Sequence, residues 1–348
     1  MKVLILSNMY PSQQVPYSGI FVKNQYERLQ ELKAPADVIE LFYMKRKLTG
    51  PTGSAWKYLN AFLRFVPRFF KKYHILHVHY IYPIGLLAYA YKMIHPGCRI
   101  VLTVHGSDVS VNLNSKMKRW LFSRVAGMMD YVIAVGDALP PLIRKNLNRA
   151  TDMVLCAGVD ERKFYDEGRD KTIDFLFVGK FVENKGVHLL LEIISRMNDP
   201  SVSFGFVGVG KFKEQVEQMA EKQNVTYFGA VDQDGLRKLY SASRFLVLPA
   251  EKEGFGLVVS EAMFCGTPVI ATRVGGIAGQ IKDGFNGFFI GDRTVEGIEK
   301  CLKKAVEMAP NEYSHMAENA LKSNRQYALQ HVCIEVMKVY QVLSNQTQ

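Results

Sequence analysis

The chain has 348 residues, 48% of them hydrophobic, which is enough for two globular domains that each bury a core. This composition excludes a disordered, fibrous or collagen-like protein. Five cysteines without a C-x-x-C pair argue against a disulfide framework or a zinc site. They favour a reducing compartment, so we expect a cytoplasmic protein.

The formal net charge of +11 comes entirely from the N-terminal part of the chain. Residues 1–150 contain 21 Lys and Arg but only 7 Asp and Glu, whereas residues 151–348 contain 23 and 26. An asymmetry of this size predicts two domains with different partners, one of them anionic. Anionic lipid fits this charge. Nucleic acid is not expected, because no nucleic-acid recognition motif accompanies the basic residues.

The apolar pattern predicts two series of short strands separated by helical segments. The first series is expected at Val3–Ser7, Val38–Tyr43, Ile75–His79, Ile100–Val104, Val132–Val135 and Met153–Leu155. The second is expected at Ile173–Val178, Phe204–Val207, Thr226–Phe228, Phe245–Leu248, Val269–Ala271 and Gly287–Ile290. Strands that alternate with helices indicate doubly wound α/β domains with parallel sheets. We place the domains at 1–160 and 161–329, with the boundary in the charged stretch 160–174.

Membrane-spanning and secretory segments are not expected. The apolar start Met1–Leu6 is too short for a signal peptide and is predicted to be the first strand. No stretch approaches the roughly 18 uninterrupted apolar residues of a spanning helix.

Residues 55–73 interleave aromatic and basic side chains, as interfacial amphipathic helices do. The candidate membrane or acceptor surface consists of Trp56, Lys57, Arg64, Arg68, Lys71 and Lys72. The alternative is an ordinary helix whose aromatic face packs into the domain while its cations are solvated. Pro67 interrupts the helical period in either case.

Ligands of open α/β sheets bind beyond the carboxyl ends of the strands, and the first domain has two candidates there. Gly19 follows the first strand and allows backbone N–H groups to approach a diphosphate, although a Ser-Gly turn before a helix is commonplace. His105 directly follows a strand and begins the motif His105-Gly106-Ser107-Asp108, with a buried structural histidine as the alternative. His77 and His79 form an H-x-H pair without further ligands at convincing spacing, so we expect them to be structural and expect no metal.

The second domain has two cations at its first strand end. Lys180 and Lys185 suit a diphosphate, and a solvated charge pair is the alternative. Gly208 lies at the next strand end in a G-x-G turn, which is weak evidence alone.

An acidic element follows a later strand of the second domain. Glu253 precedes a glycine turn and an apolar helix that starts near Leu257, and Glu261 lies two turns into that helix. The helix start, with Gly254, Phe255 and Gly256, offers N–H groups to phosphate. The two acids are placed to meet other parts of one anionic ligand, such as a sugar and a ribose.

Five motifs in this order resemble the retaining nucleotide-sugar glycosyltransferases of family 4, and the resemblance covers nearly the whole chain. It implies the α/β GT-B fold, with two doubly wound Rossmann-like domains facing each other across a cleft. It also implies that a final helix at about 330–348 returns to the first domain. The first domain would bind the acceptor and the second the nucleotide-sugar.

The resemblance also implies roles for individual residues. His105 would contact the transferred sugar near the reacting carbon, and Glu253 would hold the hydroxyls of that sugar. Lys180 and Lys185 would neutralise the leaving diphosphate, although the family often has Arg at the first position. The donor-binding set would be Gly19, Gly208, Gly254, Phe255, Gly256, Leu257 and Glu261, with Glu261 on the ribose.

The implied activity is a retaining hexosyltransferase that needs no metal or cofactor and uses a nucleotide-sugar, expected to be uridine-linked. A glycan or polyprenyl-linked acceptor at the inner membrane face, in surface polysaccharide assembly, accounts for the basic first domain. A nucleotide-sugar epimerase of the same fold and a non-catalytic subunit of a membrane complex remain as alternatives. Front-face attack and double displacement through Glu253 also remain open.

Overall fold

The computed structural model describes residues 1–12, 18–45, 51–106, 109, 115–197, 199–221 and 224–345, without the side chains of 51–56. The chain divides into two compact units: one comprises Met1–Gly158 with Leu329–Gln348, and the other comprises Val159–Ala328. The charged stretch 160–174 belongs to the second unit, where Arg237 bonds Glu167 at 2.8 Å.

The described strands lie where the sequence predicts them, with ends that differ by at most two residues. Most contain a run of buried aliphatic or aromatic residues that the apolar pattern makes visible in the sequence, whereas three strands at the sheet edges are partly exposed. The strands of the first unit are β1 Lys2–Ser7, β2 Val38–Tyr43, β3 Ile75–His79, β4 Arg99–Val104, β5 Tyr131–Ala134 and β6 Met153–Val154. Those of the second unit are β7 Ile173–Val178, β8 Phe204–Val207, β9 Val225–Gly229, β10 Ser243–Leu248, β11 Val269–Thr272 and β12 Gly287–Ile290.

Both sheets are parallel and six-stranded. The first has the order β2-β1-β3-β4-β5-β6 and the second β12-β11-β10-β7-β8-β9. In each, the chain winds outward from a central strand and then returns to that strand's other side. These reversals, between β1 and β3 and between β7 and β10, are topological switch points, where doubly wound sheets bind their ligands.

Helices flank both sheets. The helices of the first unit are α1 Ile20–Leu32, α2 Pro51–Phe65, α3 Gly85–Ile94, α4 Lys116–Gly127, α5 Leu139–Leu147 and α13 Leu329–Asn345. Those of the second unit are α6 Val187–Met197, α7 Lys213–Ala220, α8 Gln233–Ser241, α9 Leu257–Phe264, α10 Ile277–Gln280, α11 Val295–Val306 and α12 Pro310–Ser323. The helical period breaks at Pro67 as predicted: α2 ends at Phe65 and a 3-10 helix follows over Val66–Phe70.

The C-terminal helix α13 is part of the core of the first unit. Leu329, Cys333 and Tyr340 on this helix are fully buried, in one cluster with aliphatic residues of β1, β3 and α1. The Arg28 guanidinium of α1 also donates to Gln330 Oε1 at 2.5 Å. The chain therefore returns to its first unit, as the resemblance implied.

The second unit has a separate core around its own sheet, rich in phenylalanine. Helix α9 lies within this core, and Val259, Ala262 and Met263 are fully buried. Burial fixes the position of the acidic element relative to the strand ends.

Candidate active site

In the second unit, Lys185 and Glu253 meet at the switch point between β7 and β10. They lie 68 residues apart in sequence, in the loops after β7 and β10, yet Lys185 Nζ donates to Glu253 Oε2. The other carboxylate oxygen, Oε1, accepts from the backbone N–H of Gly254 at 3.0 Å. Both side chains keep about a fifth of their surface exposed, 21% and 19%, so a ligand can reach the pair.

Backbone contacts hold these two loops together. Glu251 N–H donates to the Asn184 carbonyl at 2.8 Å. The Arg293 guanidinium donates to the carbonyls of Pro249 and Glu183, both at 2.8 Å, and so bridges one loop to the other. The sequence analysis did not identify Arg293. It has no local motif, and its role follows only from the fold, which places β12, just before it, in the same sheet as β7 and β10.

Gly186 is required where the loops touch. Its φ is +78°, and a Cβ atom would lie 2.3 Å from the Pro249 carbonyl oxygen. Gly208 makes a similar close approach, since its Cβ would lie 1.8 Å from the Gly179 carbonyl oxygen. The structure therefore gives Gly208 a backbone role beside the site, and Lys180, next to Gly179, is exposed.

Helix α9 begins directly after the Glu253 turn. Gly256 precedes the helix with a φ of +85°, and its carbonyl accepts from the Val259 N–H at 2.9 Å. The N–H groups of Leu257 and Val258, at the very start of the helix, have no intrahelical acceptor. The turn is fixed from behind: Gly276 N–H donates to the Gly254 carbonyl at 2.8 Å, and Gln280 Nε2 donates to the Phe255 carbonyl at 2.5 Å. This geometry presents backbone donors to an anion.

Glu261 faces a different environment from Glu253. Its Oε2 accepts from the Tyr240 hydroxyl at 3.1 Å. Burial raises the pKa of Glu261 to about 7, and the Tyr240 hydrogen bond offsets only part of this effect. The carboxyl group therefore titrates near neutral pH, where it can change between a hydrogen-bond acceptor and a donor.

In the first unit, His105 lies among aromatic rings at the end of β4. The Tyr80 ring stacks on it with a centroid separation of 4.4 Å, and the Phe21 ring lies 4.8 Å away. His79 Nδ1 lies 3.1 Å from His105 Nε2. Burial and the neighbouring His79 hold the pKa of His105 well below its usual range, so the ring is neutral at pH 7.

His77 and Gly19 are both held by close contacts within this unit. His77 is fully buried, and its ring nitrogens bond the hydroxyls of Tyr340 and Thr103. Gly19 precedes α1 with a φ of +69°, and a Cβ there would lie 2.6 Å from the Met9 backbone carbon. Ser107 and Asp108, which belong to the predicted motif that begins at His105, lie outside the described residues.

The basic residues of segment 55–73 partly face their own domain. The guanidinium groups of Arg64 and Arg68 lie 5.4 and 4.8 Å from the Phe42 ring centroid. Lys71 Nζ lies 3.3 Å from Glu40 Oε1, whereas Lys72 is exposed. Lys57 is partly buried, and the Trp56 side chain lies outside the described residues.

Large apolar side chains are exposed on the same segment. Tyr58, Leu59, Phe62, Leu63 and Phe70 are between 41% and 85% exposed. The segment thus exposes apolar side chains outside the predicted set, while Arg64, Arg68 and Lys71 of that set contact the domain itself.

Helix α4 carries a second apolar and basic surface that the sequence analysis missed. Met117, Trp120 and Leu121 are 77%, 58% and 38% exposed, and they lie on one face with Lys116 and Arg124. The Arg124 guanidinium lies 4.7 Å from the Trp120 ring centroid. The pattern i, i+1, i+4, i+5, i+8 was readable from the sequence, but only the structure shows that this face is the outer one.

The architecture and the two strand-end sites together define a glycosyltransferase of the GT-B fold. The chain belongs to the group 1 and family 4 glycosyltransferases. Residues 22–162 match the model of Glycosyltransferase Family 4, and residues 159–323 match Glycosyl transferases group 1.

Three relatives match most of the chain. An uncharacterized glycosyltransferase of Methanocaldococcus jannaschii is 29% identical over 99% of this chain and 100% of its own. The N-acetyl-alpha-D-glucosaminyl L-malate synthase of Bacillus anthracis is 30% identical, covering 72% of this chain and 69% of the relative. TuaC of Bacillus subtilis, named for teichuronic acid biosynthesis, is 27% identical and covers 80% and 82%.

Two solved structures share the fold. Sucrose-phosphate synthase of Thermosynechococcus elongatus superimposes with a TM-score of 0.80 at 17% identity, over 99% of both chains. HepE of Anabaena, solved in complex with UDP and glucose, gives a TM-score of 0.77 at 16% identity, over 98% of this chain and 100% of its own.

In the described part of the chain, no helix is long and apolar enough to cross a bilayer.

Proposed function

We propose that this glycosyltransferase transfers a hexose with retention from a UDP-linked donor to a glycan or polyprenyl-linked acceptor in surface polysaccharide assembly. The observation that carries the proposal is the Lys185–Glu253 pair beside the start of α9, at a topological switch point. A cation and backbone donors suit a diphosphate there, and a carboxylate suits sugar hydroxyls. The UDP and glucose bound by HepE and the role named for TuaC support the choice of donor and pathway.

Stabilisation of the leaving group is the main catalytic contribution that we assign. Lys180, Lys185 and the N–H groups of Phe255, Gly256 and Leu257 would take up the charge that develops on the departing diphosphate. Preorganised donors of this kind are usually the largest catalytic term, and the loss of one costs about 100-fold or more in rate.

For Glu253 and, separately, for His105 we carry over from the family resemblance a contact with the transferred sugar. Glu253 would accept hydrogen bonds from its hydroxyls and stabilise the oxocarbenium-like transition state. His105, neutral at pH 7, would hydrogen-bond the sugar without adding positive charge near it. We favour front-face attack, in which the acceptor oxygen bonds the anomeric carbon, the bond from that carbon to the phosphate oxygen breaks, and the acceptor proton passes to this oxygen.

Binding of the acceptor is assigned to the basic first unit, at an anionic membrane surface. The exposed apolar side chains of α2 and α4, with Lys116 and Arg124 beside Trp120, suit contact with anionic lipid headgroups. Each Lys or Arg near such a surface contributes about 1 kcal/mol, which salt screens.

Release of nucleoside diphosphate tests the enzymatic part. UDP-, GDP- and ADP-sugars are incubated with and without a lipid-glycan extract, and the anomeric configuration of the product is determined by NMR. We expect acceptor-dependent release of UDP, lost in Glu253→Ala but kept in Glu251→Ala, whose exposed carboxylate pairs with Lys252. Formation of an epimer without acceptor, or activity that survives in Glu253→Ala, would contradict the proposal.

Liposome flotation tests the membrane part. We expect binding to vesicles with anionic lipid at low salt, weaker binding at high salt, and loss of binding in the double variant Met117→Ser/Trp120→Ser. Val342→Ser, at a residue 57% exposed on α13, serves as control. Equal binding of the double variant and the control would contradict a membrane contact through α4.

A further inference from the structure

His79 and His105 form a hydrogen-bonded pair at the carboxyl ends of β3 and β4. Their rings lie nearly parallel, at an interplanar angle of 29° and a centroid separation of 5.4 Å. His79 is only 1% exposed, and burial lowers its pKa to about 3, so it is neutral at pH 7 like His105. A neutral imidazole has one N–H, so one of the two facing nitrogens donates and the other accepts.

The second nitrogen of His79 indicates the direction of this bond. His79 Nε2 is buried and has no hydrogen-bond partner among the described residues. A buried N–H without an acceptor is rarer in proteins than an unpaired acceptor. The proton of His79 is therefore on Nδ1, from which it is donated to His105 Nε2. His105 then carries its own proton on Nδ1.

Tyr80 packs beside the pair in an unusual backbone conformation. Tyr80 stacks on His105 and has a φ of +70°, in the left-handed region that residues other than glycine rarely adopt. Backbone outliers of this kind cluster at functional sites. Tyr80 N–H donates to the Thr103 carbonyl at 3.0 Å, which ties the outlier to the strand that carries His105.

We infer that His79 is a positioning residue that holds the His105 ring in one orientation and in its Nδ1–H tautomer. The tautomer of an imidazole is set by the hydrogen bond at its other nitrogen, and here only His79 supplies that bond among the described residues. His105 thereby offers an N–H donor to a hydroxyl of its ligand. The ligand in this statement rests on the proposed function, whereas the tautomer does not.

Two near-isosteric variants test the inference. His79→Asn places an amide where Nδ1 lies and can still donate to His105, whereas His79→Gln extends its amide toward the position of Nε2. With the donor that supports transfer, we expect His79→Gln to lower kcat by about 10- to 100-fold, the usual cost of losing such a supporting bond. KM for the donor should change little. His79→Asn should retain kcat within about threefold on the same reasoning.

His77→Asn is the matched structural control. His77 is as buried as His79, but its ring nitrogens bond Tyr340 and Thr103. The variant His77→Asn should lower the melting temperature without a specific loss of kcat. Equal loss of kcat in the Asn and Gln variants of His79, or an equal loss in His77→Asn, would overturn the positioning role.

Nitrogen-15 NMR of the imidazoles gives a readout that does not need activity. Wild-type His105 should be protonated on Nδ1, and His79→Gln should give a mixture of tautomers. Protonation of wild-type His105 on Nε2 would overturn the inference even if the enzyme is active. If instead no donor is turned over but His105 has the expected tautomer, the proposed function fails and the role of His79 stands.

Discussion

The proposed role of Glu261 and its buried position favour different protonation states of its carboxyl group. A carboxylate suits ribose hydroxyls, yet burial beside Tyr240 favours the neutral acid and raises its pKa to about 7. The raised pKa also has a cost in stability. Unfolded glutamate has a pKa of roughly 4.3, so the folded form loses stability as the pH rises from that value through 7.

Nucleotide binding should therefore depend on pH through Glu261. If Glu261 has its proposed role, the affinity for UDP should rise as the pH increases from 6 to 8, because the carboxylate is the better acceptor for ribose hydroxyls. Calorimetric titrations at several pH values measure this. Glu261→Gln should bind more weakly, without that pH dependence, and should gain stability relative to wild type at pH 8. An unchanged pH profile in this variant would contradict the role of Glu261.

Gly186 is the position where one added methyl group should disturb the proposed donor site. Its Cβ would lie 2.3 Å from the Pro249 carbonyl oxygen, so Gly186→Ala must displace the loop that carries Glu253. Gly168→Ala is the matched control, since Gly168 also has a positive φ, +63°, but open space around its Cβ.

Gly168→Ala should lose only about 1–2 kcal/mol of stability, which is the strain of alanine in a left-handed backbone conformation. It should bind UDP normally. Gly186→Ala should lose more stability, measured by urea unfolding, and should also bind UDP more weakly. Equal behaviour of the two variants would show that the contact with Pro249 does not matter.

At the scale of elements, the sequence was sufficient to predict the positions of the strands and of the helix that follows Glu253. Most strands contain short buried apolar runs, and the helix start is marked by Gly254 and Gly256. Contacts between elements were not predictable in this way. The pairing of Lys185 with Glu253 depends on strands β7 and β10 being neighbours in the sheet, and the direction of Arg64 depends on the position of Phe42.

Arg293 links two loops that are far apart in the sequence. Its guanidinium bonds two carbonyls in different loops, so Arg293→Ala should loosen both loops. We expect a loss of about 1.5–3 kcal/mol in the free energy of unfolding, as for hydrogen bonds to charged groups. The affinity for UDP should fall as well.

Arg196→Ala is the comparison for Arg293→Ala. Arg196 pairs with Glu192 and Glu296 on the exposed surface, where ion pairs contribute about 0–1 kcal/mol. If Arg196→Ala destabilises the protein as much as Arg293→Ala does, the bridge between the loops has no special importance.

At the scale of the whole molecule, the two units differ in how the chain builds them. The second unit is continuous, from Val159 to Ala328, and contains its own core and the proposed diphosphate, ribose and Glu253 sites. The first unit is discontinuous, because α13 supplies Leu329, Val336 and Tyr340 to its core.

This difference predicts how fragments of the chain behave. A fragment of residues 159–328 should fold cooperatively and bind UDP, without transferring sugar. A fragment of residues 1–158 should be unstable, because loss of α13 exposes the buried face of α1 and leaves the hydroxyl partner of His77 missing. Adding residues 329–348 to it through a flexible linker should restore folding. Circular dichroism, thermal unfolding and calorimetry with UDP measure these properties. UDP binding that needs both units would show that the donor site is not built by the second unit alone.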